Sequence, residues 1–132
     1  MNYRVDRRRF QRLKVNLSVF YKIETPEIRN VTGEEEFEAN SLDISTGGIS
    51  FLSKYYIPSY TTLSVKFILF KAGVSGMVSF NDPIEIAGEV RSSVLTEESQ
   101  FRLGICFKTM PTVNREEISD FINSASHLPQ NC

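Results

Sequence analysis

Two short segments of this chain carry residues whose types and spacing suit them to chemistry. Arg7-Arg8-Arg9-Phe10-Gln11-Arg12 stands near the start, and the polar turn Asp43-Ile44-Ser45-Thr46-Gly47-Gly48 comes about thirty residues later. The planar fork of an arginine matches phosphate oxygens and the O6/N7 edge of guanine. A carboxylate such as Asp43 accepts hydrogen bonds from guanine N1–H and N2–H₂, and the Ser45 hydroxyl gives or accepts one more. Gly47 and Gly48 permit a tight reversal and let a ligand come close. Arg8 and Arg12 are separated by three residues, so one turn of helix brings them to one side, whereas an extended chain spreads them over roughly 13 Å. The chemistry is recognition of something small, anionic and guanine-bearing. Neither segment describes a catalyst.

Each segment alone has a plainer reading. A terminal arginine cluster is commonly a solvated patch, and Asp-x-Ser before two glycines is commonly a turn whose side chains satisfy backbone amides. Their combination favours the functional reading, and the distribution of charge bears on the kind of partner. Net charge is −1, yet residues 1–14 carry Arg4, Arg7, Arg8, Arg9, Arg12 and Lys14 against Asp6 alone, a local sum of +5. A protein that coats long nucleic acid shows a broad basic face and a high pI. Basic charge confined to one arm fits a compact anionic partner, and no long nucleic acid is expected.

The remaining composition bounds the class. At 132 residues, 41% hydrophobic and 23% charged, the chain is one domain able to build a core without disulfides. Cys106 lies in an apolar run and reads as a small buried hydrophobe, and Cys132 is terminal, a pattern that suits a reducing cytoplasm. No signal-peptide core and no membrane-spanning run is present, so a cytoplasmic protein is expected. His127 is the sole histidine, which argues against a zinc site and against a Ser/His/Asp or Cys/His triad, and no metal or cofactor is expected.

The elements that must position these residues emerge from periodicity. Residues 1–14 read as a flexible basic arm. Val15, Leu17, Val19, Tyr21 and Ile23 alternate with polar residues, a period-two strand. Phe37 to Ser45 and Ile49 to Ser53 read as strands on either side of the glycine turn, with Leu42 and Ile44 facing the core and Asp43 and Ser45 displayed together outside. Leu63 to Leu69, Ile84 to Leu95 with a bend at Gly88, and Phe101 to Phe107 complete the set, with a short hairpin near Met77–Phe80. After Pro111 the period changes: Asn114 reads as a helix cap, Glu116 and Glu117 as its first turn, and Ile118, Phe121 and Ile122 as one apolar face. The expected architecture is all-β: a small antiparallel six-stranded β-barrel of split-barrel type over residues 15–124, closed by a C-terminal α-helix and ending in a tail, 125–132.

Arg8-x-x-x-Arg12 with Asp43-x-Ser45-x-x-Gly48 on such a chain resembles the PilZ family of bacterial cyclic di-GMP receptors. The likeness extends to Ile86-x-Gly88-x-Val90 and to Phe101-Arg102-Leu103-Gly104-Ile105-x-Phe107, the strand pair that closes the family's barrel, and covers about residues 4 to 123. The resemblance implies that Arg8 and Arg12 clamp phosphates and guanine edges, with Arg7 or Arg9 as a third. It implies that Asp43 and Ser45 meet base and phosphate while Gly47 and Gly48 shape the turn. It implies no enzyme activity. Binding would order the arm and change the surface shown to a downstream protein, in processes such as motility, biofilm formation or virulence. The rival readings are a same-fold adaptor that binds no nucleotide and a single-stranded nucleic-acid binder using the basic arm.

Overall fold

Alternation of apolar and polar residues dictates most of this fold. The structure, a computed structural model, describes residues 11–24 and 36–126. Arg7, Arg8, Arg9, His127 and Cys132 lie outside the described residues. The elements are β1 (Leu13–Lys14), β2 (Ser18–Ile23), β3 (Phe37–Ile44), β4 (Gly48–Ser53), β5 (Thr62–Phe67), β6 (Phe70–Ala72), β7 (Val78–Phe80), β8 (Ile84–Leu95), β9 (Phe101–Phe107) and α1 (Thr112–Ser126).

Hydrogen bonding runs β3-β2-β5-β8-β9-β4, and β4 pairs back onto β3, which closes an antiparallel six-stranded barrel. Closure removes the open edges through which sheets aggregate. Alternate residues fill the interior: Val19, Tyr21 and Ile23 from β2, Leu63, Val65 and Phe67 from β5, and Leu103, Ile105 and Phe107 from β9 are all buried. Each such side chain contributes roughly 1.5–3 kcal/mol when removed from water. Burial also raises the Tyr21 phenol above its ordinary pKa, opposed by its hydrogen bond to Ser53. Ile118, Phe121 and Ile122 of α1 join the same core, as their helical spacing predicts.

Several sequence expectations shift. The first strand is broken, not continuous from Val15. Leu13 and Lys14 already pair with Ile44 and Asp43 of β3, so the basic segment is strand-paired two residues earlier than the free arm expected through Lys14. The break at 15–17 is bridged by the buried hydroxyl of Ser41, which accepts from the Leu17 amide at 2.8 Å and donates to the Val15 carbonyl. The helix starts at Thr112, because the Pro111 carbonyl accepts from the amides of Asn114 and Arg115, both at 3.1 Å. Asn114 is therefore inside the helix, its side chain donating to Glu117, and the first turn holds no acidic residue. The irregularity in β8 falls between Val90 and Ser92, not at Gly88, which pairs regularly with Leu63 and Phe107. A Cβ at Gly88 would stand 2.5 Å from Ile105 Cγ2, so packing requires that glycine. Cys106 is a free, half-buried thiol on the outward side of β9, not a core residue.

β6 and β7 form a separate two-stranded hairpin, near the expected position. No helix among the described residues is long and apolar enough to cross a membrane.

Candidate polar site on the β3–β4–β9 face

A bulge in β3 creates this site. In the first half of the strand Ala39 and Ser41 point inward. Strict alternation would carry Asp43 inward as well. Opposite β4, however, the register runs Ser41 to Phe51 and then Asp43 to Ser50, so β3 holds one extra residue at Leu42. A bulge of this kind reverses the facing of the residues beyond it. Ile44 becomes fully buried, and Asp43 turns to the surface with its side chain 13% exposed.

There Asp43 gathers a set of polar partners from neighbouring strands. Arg12, at the entrance to β1, donates from Nη1 to Asp43 Oδ1 at 2.6 Å. The Ser50 hydroxyl of β4 donates to the same oxygen at 2.9 Å. Arg102 of β9 sets its Nη2 3.7 Å from Oδ2. Lys14 sits directly across from Asp43 in the β1–β3 register. One carboxylate thus lies inside a collar of cationic side chains, a field that attracts an anion.

Ser45 is placed differently from the sequence expectation. It is 1% exposed, not displayed beside Asp43. Its Oγ accepts from the Gly47 and Gly48 amides at 3.1 and 3.2 Å, and its own amide donates to the Gly48 carbonyl at 2.8 Å. The hydroxyl therefore holds the β3–β4 turn closed, the side-chain mimicry by which serine favours turns. Gly47 ties that turn to the end of β9 by accepting from the Phe107 amide at 2.9 Å. Gly48 is needed for close approach: a Cβ there would fall 2.1 Å from the Ile105 carbonyl oxygen. Its φ is not positive; Gly76 is the described glycine with that conformation.

Of the residues singled out in the sequence, the structure brings Arg12 and Asp43 into contact and puts Ser45, Gly47 and Gly48 in the adjoining turn. Ser50 and Arg102 escaped the sequence reading. Alternation alone puts Arg102 on the outward side of β9, opposite in facing to Leu103. Nothing local sets it beside a carboxylate 59 positions earlier. That proximity comes from register, with β4 lying between β3 and β9 and Leu52 across from Arg102. Leu52 also walls a 410 Å³ pocket with Glu36, Glu38, Asn40, Lys54 and Gln100. Among the described residues no group of three His, Cys, Asp or Glu side chains is arranged to hold a metal ion.

The sequence model of the PilZ domain matches residues 6–124. No curated protein matches the chain in sequence. Among solved structures, the Bacillus subtilis inhibitor of motility (MotI/DgrA) superposes with a TM-score of 0.70 at 16% identity, over 90% of this chain and 51% of that protein. The PilZ domain of Escherichia coli YcgR with c-di-GMP gives 0.60 at 14% identity, covering 91% of this chain and 92% of that one. The K. pneumonia MrkH–c-di-GMP complex gives 0.60 at 14% identity, covering 90% and 52%. The chain therefore spans about half the length of the first of these proteins and nearly all of the isolated YcgR domain. At such identities the likeness is one of fold.

Proposed function

This chain belongs to the PilZ domain family, and on that footing we propose that it is a receptor for cyclic di-GMP. The observation that carries the reading is the 2.6 Å contact between Arg12 and Asp43. It joins the last arginine of the Arg8-x-x-x-Arg12 segment to the first residue of Asp43-x-Ser45-x-x-Gly48, which supports reading the two motifs as one site. The c-di-GMP bound to the YcgR domain and to MrkH supports the choice of ligand.

The mechanism is exchange of partners. Asp43 is held by Arg12, and the pair neutralise one another. A guanine offers Asp43 two N–H donors in place of the guanidinium. Arg12, released, turns to a phosphate or to a guanine edge, with Arg7, Arg8 and Arg9 supplying further forks. Ser45, Gly47 and Gly48 keep the turn beside the base closed, and in this reading the Ser45 hydroxyl acts through that turn. Hydrogen bonds to charged groups contribute roughly 1.5–3 kcal/mol each. A few of them, less the cost of ordering the arm, give about −8 kcal/mol, a micromolar constant. The output is a population shift: ligand orders the basic segment over the β3–β4–β9 face, and a downstream protein reads the new surface. The inhibitor-of-motility relative makes motility a reasonable output to test first, with biofilm formation and virulence beside it. No catalytic step and no cofactor is part of this reading.

Calorimetric titration with cyclic di-GMP, with cyclic di-AMP as control, tests it. Selective micromolar binding that falls at least tenfold in Arg12→Ala is the expected result. Absence of heat and of thermal shift with cyclic di-GMP would sink the receptor reading and leave the adaptor. Equal affinity for both dinucleotides with a steep salt dependence would point instead to polyanion binding.

A further inference from the structure

We infer that Arg102 is a ligand-reading residue supplied by the barrel wall, which engages the O6/N7 edge of the guanine held by Asp43. The inference rests on the cyclic di-GMP reading and deepens it.

The two oxygens of Asp43 are treated unequally. Among the described residues Oδ1 takes both direct hydrogen bonds, from Arg12 and from Ser50. Oδ2 faces Arg102 at 3.7 Å, within ion-pair range but too long for a hydrogen bond. The donors of Arg102 are therefore not engaged by Asp43. The residue is 56% exposed, and a pair this open adds little to stability, so the contact is not a device of the fold. Its position suits a ligand instead. It stands on β9 across from Leu52, which also lines a neighbouring 410 Å³ pocket that holds Glu36 and Glu38 as well as Lys54.

The order of atoms on guanine selects the contact. N2 and N1 face the carboxylate; O6 comes after N1 around the ring, and N7 lies beyond O6. A guanidinium beside the carboxylate meets that O6/N7 edge with a bidentate fork, the commonest specific contact to guanine. The arm's arginines are left for the phosphates and the second guanine. Arg12 and Arg102 approach different oxygens of Asp43, so Arg12 can leave for a phosphate while Arg102 stays beside the base.

The test compares cyclic di-GMP with its 7-deazaguanine analogue, in which N7 is replaced by carbon, on the full chain, Arg102→Ala and Arg102→Lys. Circular dichroism melts check that the variants fold. Arg102→Ala should weaken cyclic di-GMP binding about ten- to a hundredfold, the discrimination of one bidentate arginine–guanine pair. Lysine should not restore it, because the charge survives but the fork does not. The full chain should bind the deaza analogue less tightly, and Arg102→Ala should keep only the part of that penalty that belongs to the second guanine. If Arg102→Ala binds like the parent, the inference fails while the receptor reading stands. If it binds weakly but keeps the whole deaza penalty, Arg102 merely positions Asp43 and the inference fails again. If the parent binds no cyclic di-GMP, the receptor reading fails and carries this one with it.

Discussion

Two hairpins of this molecule are built on opposite terms. The β3–β4 hairpin carries the candidate site, and its polar groups are tied to one another. Ser45 closes its turn, Ser50 and Arg12 share one oxygen of Asp43, and Gly48 lies against the backbone of β9. The β6–β7 hairpin is independent of the barrel sheet. Phe70 pairs with Phe80 and Ala72 with Val78, so one of its faces is apolar, and Val78 and Phe80 are 53% and 71% exposed. Its only ring contact among the described residues is between Phe70 and Phe121 of α1. The first hairpin is specified by atoms distant in sequence, the second by local alternation and a turn. Substitutions should therefore be costly in the first and tolerated in the second.

Gly48→Ala is the sharpest way to break the contrast. The added methyl must displace a backbone carbonyl 2.1 Å away, and overpacking of that kind costs about 3 kcal/mol. A thermal melt should show Tm lower by about 10 °C. A Tm within a degree or two of the parent would mean that β4 and β9 are not so closely apposed. Ser45→Ala comes next. It strands the Gly47 and Gly48 amides in a buried turn, for about 1–2 kcal/mol seen as a lower denaturant midpoint. An unchanged midpoint, with cyclic di-GMP binding lost, would instead make the hydroxyl a direct ligand contact. Phe80→Lys should do least. It removes an exposed ring and should leave stability within about 0.5 kcal/mol and ligand binding unchanged. A large destabilisation there would erase the distinction between the hairpins.

Much of the fold was legible because it depends on short-range periodicity. Val19-x-Tyr21-x-Ile23, Leu63-x-Val65-x-Phe67 and Leu103-x-Ile105-x-Phe107 each declare a strand with one buried side, whatever its neighbours. Ile118, Phe121 and Ile122 declare the buried side of a helix in the same way. The two site motifs were legible for a related reason, as unusual residue types set close together. What misled was also local. The cap reading of Asn114 and the single strand from Val15 each took a short pattern at face value, where a carbonyl of Pro111 and a hydroxyl of Ser41 decided otherwise.

The chain's own pattern of residues thus determined most of the strands, the helix, the glycine turn and the presence of both an arginine segment and an Asp-x-Ser segment. Tertiary structure decided how these combine. An extra residue at Leu42 exists only relative to β4, and it is this bulge that turns Asp43 outward. Ser45 is buried because the turn lies against the end of β9, where Gly47 meets Phe107. Arg102 reaches Asp43 because a closed barrel sets β4 between β3 and β9. Facing and register are relations between strands, and no single strand contains them.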